Sequence, residues 1–276
     1  MTAPTFLVQL TDLHIREPGR LAYRRVDTAA YLRQTVAAVR RLAQRPHAVV
    51  ITGDLTDFGR PAEYAYLREL LAPLDMPIYL MPGNHDDRAE LRRAFPEHAY
   101  LGSGPFVQYA VDIAGLRLIA LDSVTPGHGY GSLCAERLQW LSDALEASAG
   151  RPVVVALHHP PFDTLIGHMD EQGLLQGARE LEALIARHPQ VERVIAGHLH
   201  RAIEVRFGAT IACTSPAPAH SVFLDMAADA PSQWVMEPAS FRILALAPSG
   251  KLISHLVSST EVEGPYPFHE NGILID

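Results

Sequence analysis

The chain of 276 residues is predicted to adopt an α/β fold whose sheets are buried on both faces and are not purely parallel. Three observations predict this. Over the first two-thirds, continuous apolar runs alternate with segments of helical spacing. Two apolar runs flank Asp112-Ile113-Ala114-Gly115, which reads as a hairpin connection and so requires an antiparallel pair. After His200, strand-like runs follow one another without a helix pattern of good quality.

In order, residues 6–10 form an apolar run that reads as a strand. Residues 27–45 carry Ala30, Val36, Val39 and Leu42 at helical spacing. Residues 48–52 are nearly all apolar and read as the next strand. Residues 61–71 suit a helix, with proline tolerated in its first turn. A strand at 77–81 and a short helix at 87–95 follow. The hairpin strands are expected at 106–111 and 116–121, then a helix at 135–147, a strand at 152–157, a helix at 177–187 and a strand at 191–196. The tail reads as strands at 203–207, 210–213, 240–247 and 251–257, interrupted by a Pro- and Ala-rich stretch over 215–238.

Composition narrows the function. A hydrophobic fraction of 48% supports a sizeable core. The formal net charge of -8 and the absence of a basic stripe exclude a grip on a nucleic acid polymer. Arg40-Arg41 and Arg92-Arg93 are isolated pairs on predicted helices. Two distant cysteines, Cys134 and Cys213, make neither a disulfide framework nor a zinc-finger spacing. The N-terminus lacks the basic and apolar regions of a signal peptide, and no apolar run approaches the roughly 20 residues of a membrane span. A cytoplasmic protein without a membrane partner is therefore expected.

The chemistry sits at strand ends. Asp12-Leu13-His14, Gly53-Asp54, Gly83-Asn84-His85-Asp86, His158-His159-Pro160 and Gly197-His198-Leu199-His200 each follow an apolar run within a few residues. Ligands of open α/β sheets bind beyond the carboxyl ends of strands, so these side chains can converge on one edge. Carboxylates, imidazoles and one amide oxygen suit manganese, iron, zinc or cobalt, and are too imidazole-rich for calcium. Taken singly, each Asp or Asn reads equally well as a turn or cap residue; the ordered set points to metal ligation. Asp122-Ser123 reads as a turn. His128, His168 and His188 read as surface or loop histidines, and His159 as a residue satisfying local hydrogen bonds.

The motif string resembles that of the calcineurin-like metallophosphoesterases, closest to bacterial class III cyclic-nucleotide phosphodiesterases and glycerophosphodiesterases. Supporting text lies at Arg45-Pro46-His47-Ala48-Val49-Val50 and Gly59-Arg60-Pro61-Ala62-Glu63-Tyr64. The resemblance runs from Phe6 to about His200, and more loosely to His220. It implies a four-layer α-β-β-α sandwich of two mixed sheets, with a core over 1–214. Residues 215–276 would complete the sandwich and add a small β-rich cap or oligomerisation extension.

The same resemblance implies two metal ions per chain. Asp12, His14 and His200 would hold one, Asn84, His158 and His198 the other, and Asp54 would bridge them. A hydroxide between the metals would attack phosphorus in line. His85, and Asn84 beside it, would contact the substrate, with Asp57 or its rival Asp86 orienting the His85 ring. His220 and Tyr23 are further substrate-contact candidates. The expected activity is hydrolysis of small phosphodiesters such as 3′,5′-cyclic nucleotides or glycerophosphodiesters, by a homo-oligomer, a dimer or larger. The alternatives are a phosphomonoesterase and a non-catalytic metal-binding scaffold. Specificity is expected to reside in the loop over 161–176 and in the tail.

Overall fold

The computed structural model describes residues 3–276; Met1 and Thr2, in the N-terminal stretch expected to run straight into a strand, lie outside them. Along the chain, β1 (Thr5–Leu10), α1 (Thr28–Arg40), β2 (Ala48–Thr52), α2 (Pro61–Leu71), β3 (Ile78–Met81) and α3 (Arg88–Ala94) come first. The hairpin β4 (Tyr109–Ile113) and β5 (Leu116–Ala120) leads into β6 (Gly131–Ser132), α4 (Ala135–Glu146), β7 (Val153–Ala156), α5 (Gly167–Asp170), β8 (Leu174–Gln176), α6 (Ala178–Ala186) and β9 (Val191–Ala196). The tail adds β10 (Glu204–Phe207), β11 (Thr210–Thr214), β12 (Ser221–Val222), β13 (Trp234–Val235), β14 (Ser240–Leu246) and β15 (Leu252–Ser258). A short exposed hairpin, β16 (His269–Glu270) and β17 (Ile273–Leu274), closes the sequence.

Two mixed sheets dominate. One has the order β15-β14-β1-β2-β3 and the other β10-β11-β9-β7-β5-β4. Strands β1, β2 and β3 are mutually parallel, as are β5, β7, β9 and β11; the remaining members of each sheet pair antiparallel. Side chains alternate across a strand, and the two clusters of apolar side chains follow that alternation. Leu118, Ala120, Val154 and Ala156 join the cluster that holds Leu7, Val49 and Ile51 of the first sheet and Leu32, Val36 and Leu67 of α1 and α2. Their neighbours Ile119, Leu121, Val153 and Val155 instead pack with Leu141 and Leu145 of α4 and Leu181 and Ile185 of α6. The result is helix, sheet, sheet, helix, as the resemblance implies.

Local chemistry moves several boundaries. The first helix was expected over 27–45; Asp27 caps it through its side chain to the Ala30 N–H, and it stops at Arg40, with the Leu42 N–H already turning back to Val39. Gly177 precedes the last helix in a left-handed conformation, so that helix starts at Ala178. The hairpin connection contracts to Ala114-Gly115, because Ile113 pairs with Leu116; the strand expected at 106–111 consequently shifts to Tyr109–Ile113. The tail strands β14 and β15 lie in the same sheet as β1, with β14 paired directly against it. No helix among the described residues is long and apolar enough to cross a membrane.

Candidate metal centre

Parallel order brings the motifs together. Asp12, Asp54 and Asn84 follow β1, β2 and β3, adjacent parallel strands whose carboxyl ends share an edge. His158 and His198 follow β7 and β9, which are likewise adjacent and parallel. Backbone bonds lace each edge within itself: His14 N–H to Asp54 C=O at 2.9 Å in the first sheet, and Gly197 N–H to His158 C=O at 3.0 Å in the second. The His198 N–H donates to both Asp12 oxygens, at 3.0 and 2.9 Å, and the His85 N–H to Asp54 Oδ1 at 3.0 Å.

Asp12, His14, Asp54, His198 and His200 all adopt positive φ, between 44° and 71°. Such conformations are uncommon for residues other than glycine and cluster at functional sites. They occur at five of the motif positions, whereas Asn84, His85 and His158 reach the same centre without them. Close approach explains the glycines beside them: a methyl group at Gly83 would overlap the Asp54 carboxylate, and one at Gly197 would overlap the Thr11 hydroxyl.

The side chains form two groups. His14 Nε2 lies 3.2 Å from His200 Nε2, which lies 3.5 Å from Asp12 Oδ1. His158 Nε2 lies 3.0 Å from Asn84 Oδ1 and 3.2 Å from His198 Nδ1. Asp54 stands between them, with Oδ2 3.5 Å from His14 Nε2 and Oδ1 3.4 Å from His158 Nε2. All are buried except Asn84, which is half-buried.

In three of the four histidines the opposite ring nitrogen is already committed, while His198 Nε2 has no partner among the described residues. His14 Nδ1 faces Asp57 Oδ1 at 3.3 Å, His158 Nδ1 the Thr52 carbonyl at 2.8 Å and His200 Nδ1 the His220 carbonyl at 2.9 Å. With Nδ1 donating, the inward nitrogens of neutral rings are lone-pair acceptors facing other acceptors. Only a cation or added protons can occupy that space. Donors about 2.1 Å from a common ion stand roughly 3.0–3.4 Å apart, close to the separations found here. The donor set therefore fits divalent metal, and the outer bonds hold the rings in the ligating tautomer.

Electrostatics express the same demand in the metal-free protein. Burial pushes the Asp12 carboxyl up to about 6, against the pull of His158 and His14. Burial also opposes ionisation of Asp54, yet the His158 and His85 imidazoles hold its carboxylate well below the usual range. Burial acts against a charged ring at both His158 and His14, but Asp54 and Asp12 lift His158 to about 9, and Asp57, Asp54 and Asp12 raise His14. Burial and neighbouring imidazoles lower His198 to about 3, and His200 well below its ordinary value.

The remaining candidates separate. His85 is half-buried beside the groups, its Nε2 4.0 Å from Asp54 Oδ2. Neither expected carboxylate orients its ring by a direct hydrogen bond. His85 Nδ1 meets the backbone carbonyl of Asp57 at 2.8 Å, whereas the Asp57 carboxylate is turned to His14 and to Arg16 at 3.3 Å. Asp86 instead accepts the N–H groups of Leu55, Thr56 and Gly83 and the Tyr64 hydroxyl, fastening two motif loops together. His159 bonds Ser123 and the Gly129 carbonyl through its two ring nitrogens, although a ring nitrogen also lies within 4.8 Å of those of His158 and His198.

Asp122 does more than the turn expected of it, although its side chain does accept the Val124 N–H at 3.0 Å. It is fully buried and holds Arg88 by two bonds, at 2.6 and 2.7 Å. His168 is not simply a surface histidine either: with Met169, Gln172, Val222, Ser232, Gln233 and Trp234 it lines the cleft above the metal-ligand candidates, where Tyr23 and His220 also lie. These wall residues come from the loop over 161–176 and from the tail. Neither carries a periodic pattern or a motif that would have singled them out.

Residues 7–202 match the sequence model of the calcineurin-like phosphoesterase family. The chain belongs to that family. This phosphoesterase is 36% identical over 271 residues to a protein described as a probable glycerophosphodiester phosphodiesterase, GpdQ, from Arcobacter nitrofigilis, spanning 98% of this chain and 99% of that one. It is also 36% identical over 272 residues to a probable cyclic nucleotide phosphodiesterase from Rhodopseudomonas palustris, spanning 97% of each. A crystal structure of a dimetal phosphatase from Danio rerio shares the fold, with a TM-score of 0.62 over 93% of this chain and 99% of the other at 16% identity. The phosphoesterase is accordingly a hydrolytic enzyme, and its clusters of Asp and His side chains imply bound divalent metal.

Proposed function

We propose that this enzyme hydrolyses small phosphodiesters, 3′,5′-cyclic nucleotides or glycerophosphodiesters among them, at a centre holding two divalent ions. The observation that carries the reading is Asp54, whose two oxygens face separate donor groups at 3.5 and 3.4 Å. Asp12, His14 and His200 would hold one ion, and Asn84, His158 and His198 the other, with Asp54 shared. Manganese, iron, zinc or cobalt suits such donors. When bound, the ions supply positive charge for the phosphoryl oxygens and lower the pKa of a water.

The chain's own groups do the rest. Asp54 fixes the spacing of the two groups and keeps the His85 backbone in place through the His85 N–H. With Nδ1 facing the Asp57 carbonyl, His85 presents Nε2 to the cleft, placed to donate to a phosphoryl oxygen or to the departing alkoxide. Tyr23 and His220 lie on the substrate side of the same cleft.

A phosphomonoesterase is the second reading, but a dianionic monoester calls for extra cationic side chains. No Arg or Lys lines the cleft among the described residues. A non-catalytic scaffold is disfavoured because every motif position is filled. We place the enzyme in the cytoplasm, as a homo-oligomer of two or more chains.

The test is a panel of cyclic nucleotides, glycerophosphodiesters and monoesters, assayed with each metal. Diesters should be turned over in preference to monoesters. Asp54→Ala should abolish turnover and lower bound metal. His85→Ala should keep metal yet lose roughly 10²–10⁴-fold in rate. Faster turnover of monoesters, or no metal by elemental analysis, would overturn the reading.

A further inference from the structure

One wall of the cleft is built from rings that the metal chemistry does not use. Tyr23 and Trp234 stack, with ring centres 5.5 Å apart and planes inclined by 27°. The His220 ring meets Tyr23 edge-on at 5.0 Å and Trp234 at 5.9 Å. All three line the cleft above the metal-ligand candidates, Tyr23 half-exposed and Trp234 half-buried.

The backbone is strained to build this wall. Tyr23 and Arg24 have φ of 48° and 57° inside a tight turn closed by paired Ala22–Val26 backbone bonds of 2.9 Å. Successive left-handed residues in such turns normally call for Asn or Gly. A bulky aromatic there is a true outlier, and such strain persists only where the surroundings over-determine it. The surroundings do so here: Ala22, Val26 and Ala219 form their own small buried cluster, with Trp234 packed against it. Three segments distant in sequence therefore converge to hold two aromatic rings at the mouth of the cleft.

We propose that Trp234, braced by Tyr23, is a specificity-determining residue that packs against a ring-bearing substituent of the substrate, on the side away from the phosphorus. The proposal rests on the assignment of the cleft as a phosphodiester site and names the class of substituent it favours, a planar ring such as an aryl group or nucleobase. Aromatic contacts of this kind are worth about tenfold in affinity.

The test is binding, and needs no turnover. Metal-loaded enzyme is titrated with two phosphinates, methyl(2-phenylethyl)phosphinate and dimethylphosphinate, which share the anionic group, have no ester bond to cleave, and differ in a phenyl ring carried away from the phosphorus. In a Trp140→Phe background Trp234 is the sole tryptophan, so its emission reports contact directly. Wild-type enzyme should bind the phenyl compound more tightly and change its emission. Trp234→Ala should weaken that compound by about tenfold while leaving the dimethyl compound within twofold and the metal content unchanged. Trp234→Phe should restore most of the difference.

Equal weakening of both compounds, or no ring preference in the wild type, would overturn the proposal. The assigned activity fails separately: an enzyme that prefers the ring yet hydrolyses no diester would keep the wall and lose the phosphodiesterase reading.

Discussion

At the scale of single residues, the centre is a problem of protons. Burial opposes charging of His14 and His158, but surrounding carboxylates raise both, His158 up to about 9. An imidazole must lose its proton to ligate, so metal entry must expel protons. The sign follows directly. At pH 7 His158 is protonated and its proton competes with metal; as pH climbs toward 9 the competition fades and affinity rises. Calorimetric titration of metal into metal-free enzyme, in buffers of different ionisation heat, should register release of about one proton per chain near pH 7, declining above pH 9. Metal affinity independent of pH between 6 and 9 would contradict the picture. The ligand types were legible because Asp, Asn and His follow apolar runs in a fixed order. Their left-handed backbones were not, because that conformation is announced by glycine and these positions carry Asp and His.

At the scale of elements, the site depends on loops fastened to each other more than on any one helix. Asp86 ties the loop after β3 to the loop after β2, and Asp87 next to it caps α3 through the N–H groups of Ala89 and Glu90. Arg88, the first residue of α3, crosses to the second sheet and grips Asp122. Sequence patterns located α3 and β5 but could not pair them, since Arg88 and Asp122 are far apart in the chain and only the tertiary fold buries them together. Removing one partner of a buried pair leaves the other charge uncompensated, at about 3–5 kcal/mol. Asp122 would keep the N–H groups of Val107 and Val124, which places Arg88→Ala near about 3 kcal/mol, the lower end of that range. In a chain of this size each kcal/mol lowers Tm by roughly 2–4 °C, so a fall of about 6–12 °C is expected by calorimetry. Arg88→Met combined with Asp122→Asn should recover part of it. A change of only a degree or two in Arg88→Ala would mean that the pair is not what holds α3 to the second sheet.

At the scale of the whole molecule, the two sheets are joined by buried polar bridges as well as by apolar packing. Gln9 on β1 donates to the Ala196 carbonyl at 2.9 Å, and the buried Arg242 on β14 donates to the Thr214 carbonyl at 2.8 Å. The tail thus has two characters. Its strands β14 and β15 are integral to the first sheet, whereas the segment after Ser259 leaves Val262, Tyr266, Phe268, Ile273 and Leu274 largely exposed. Their apolar character is plain in the sequence; that they find no cover in their own chain is a tertiary fact. Exposed apolar groups gathered in one segment mark contact surfaces, and Ile253 and Leu256 on the outermost strand β15 are exposed as well. If the segment joins copies of the chain, full-length enzyme should sediment as a dimer or larger species, and deletion of residues 261–276 should shift it toward monomer. Because no residue of that segment lines the cleft, the shortened protein should still bind metal with unchanged stoichiometry. A full-length protein that stays monomeric at tens of micromolar would remove the tail from the assembly and leave its apolar surface without that role.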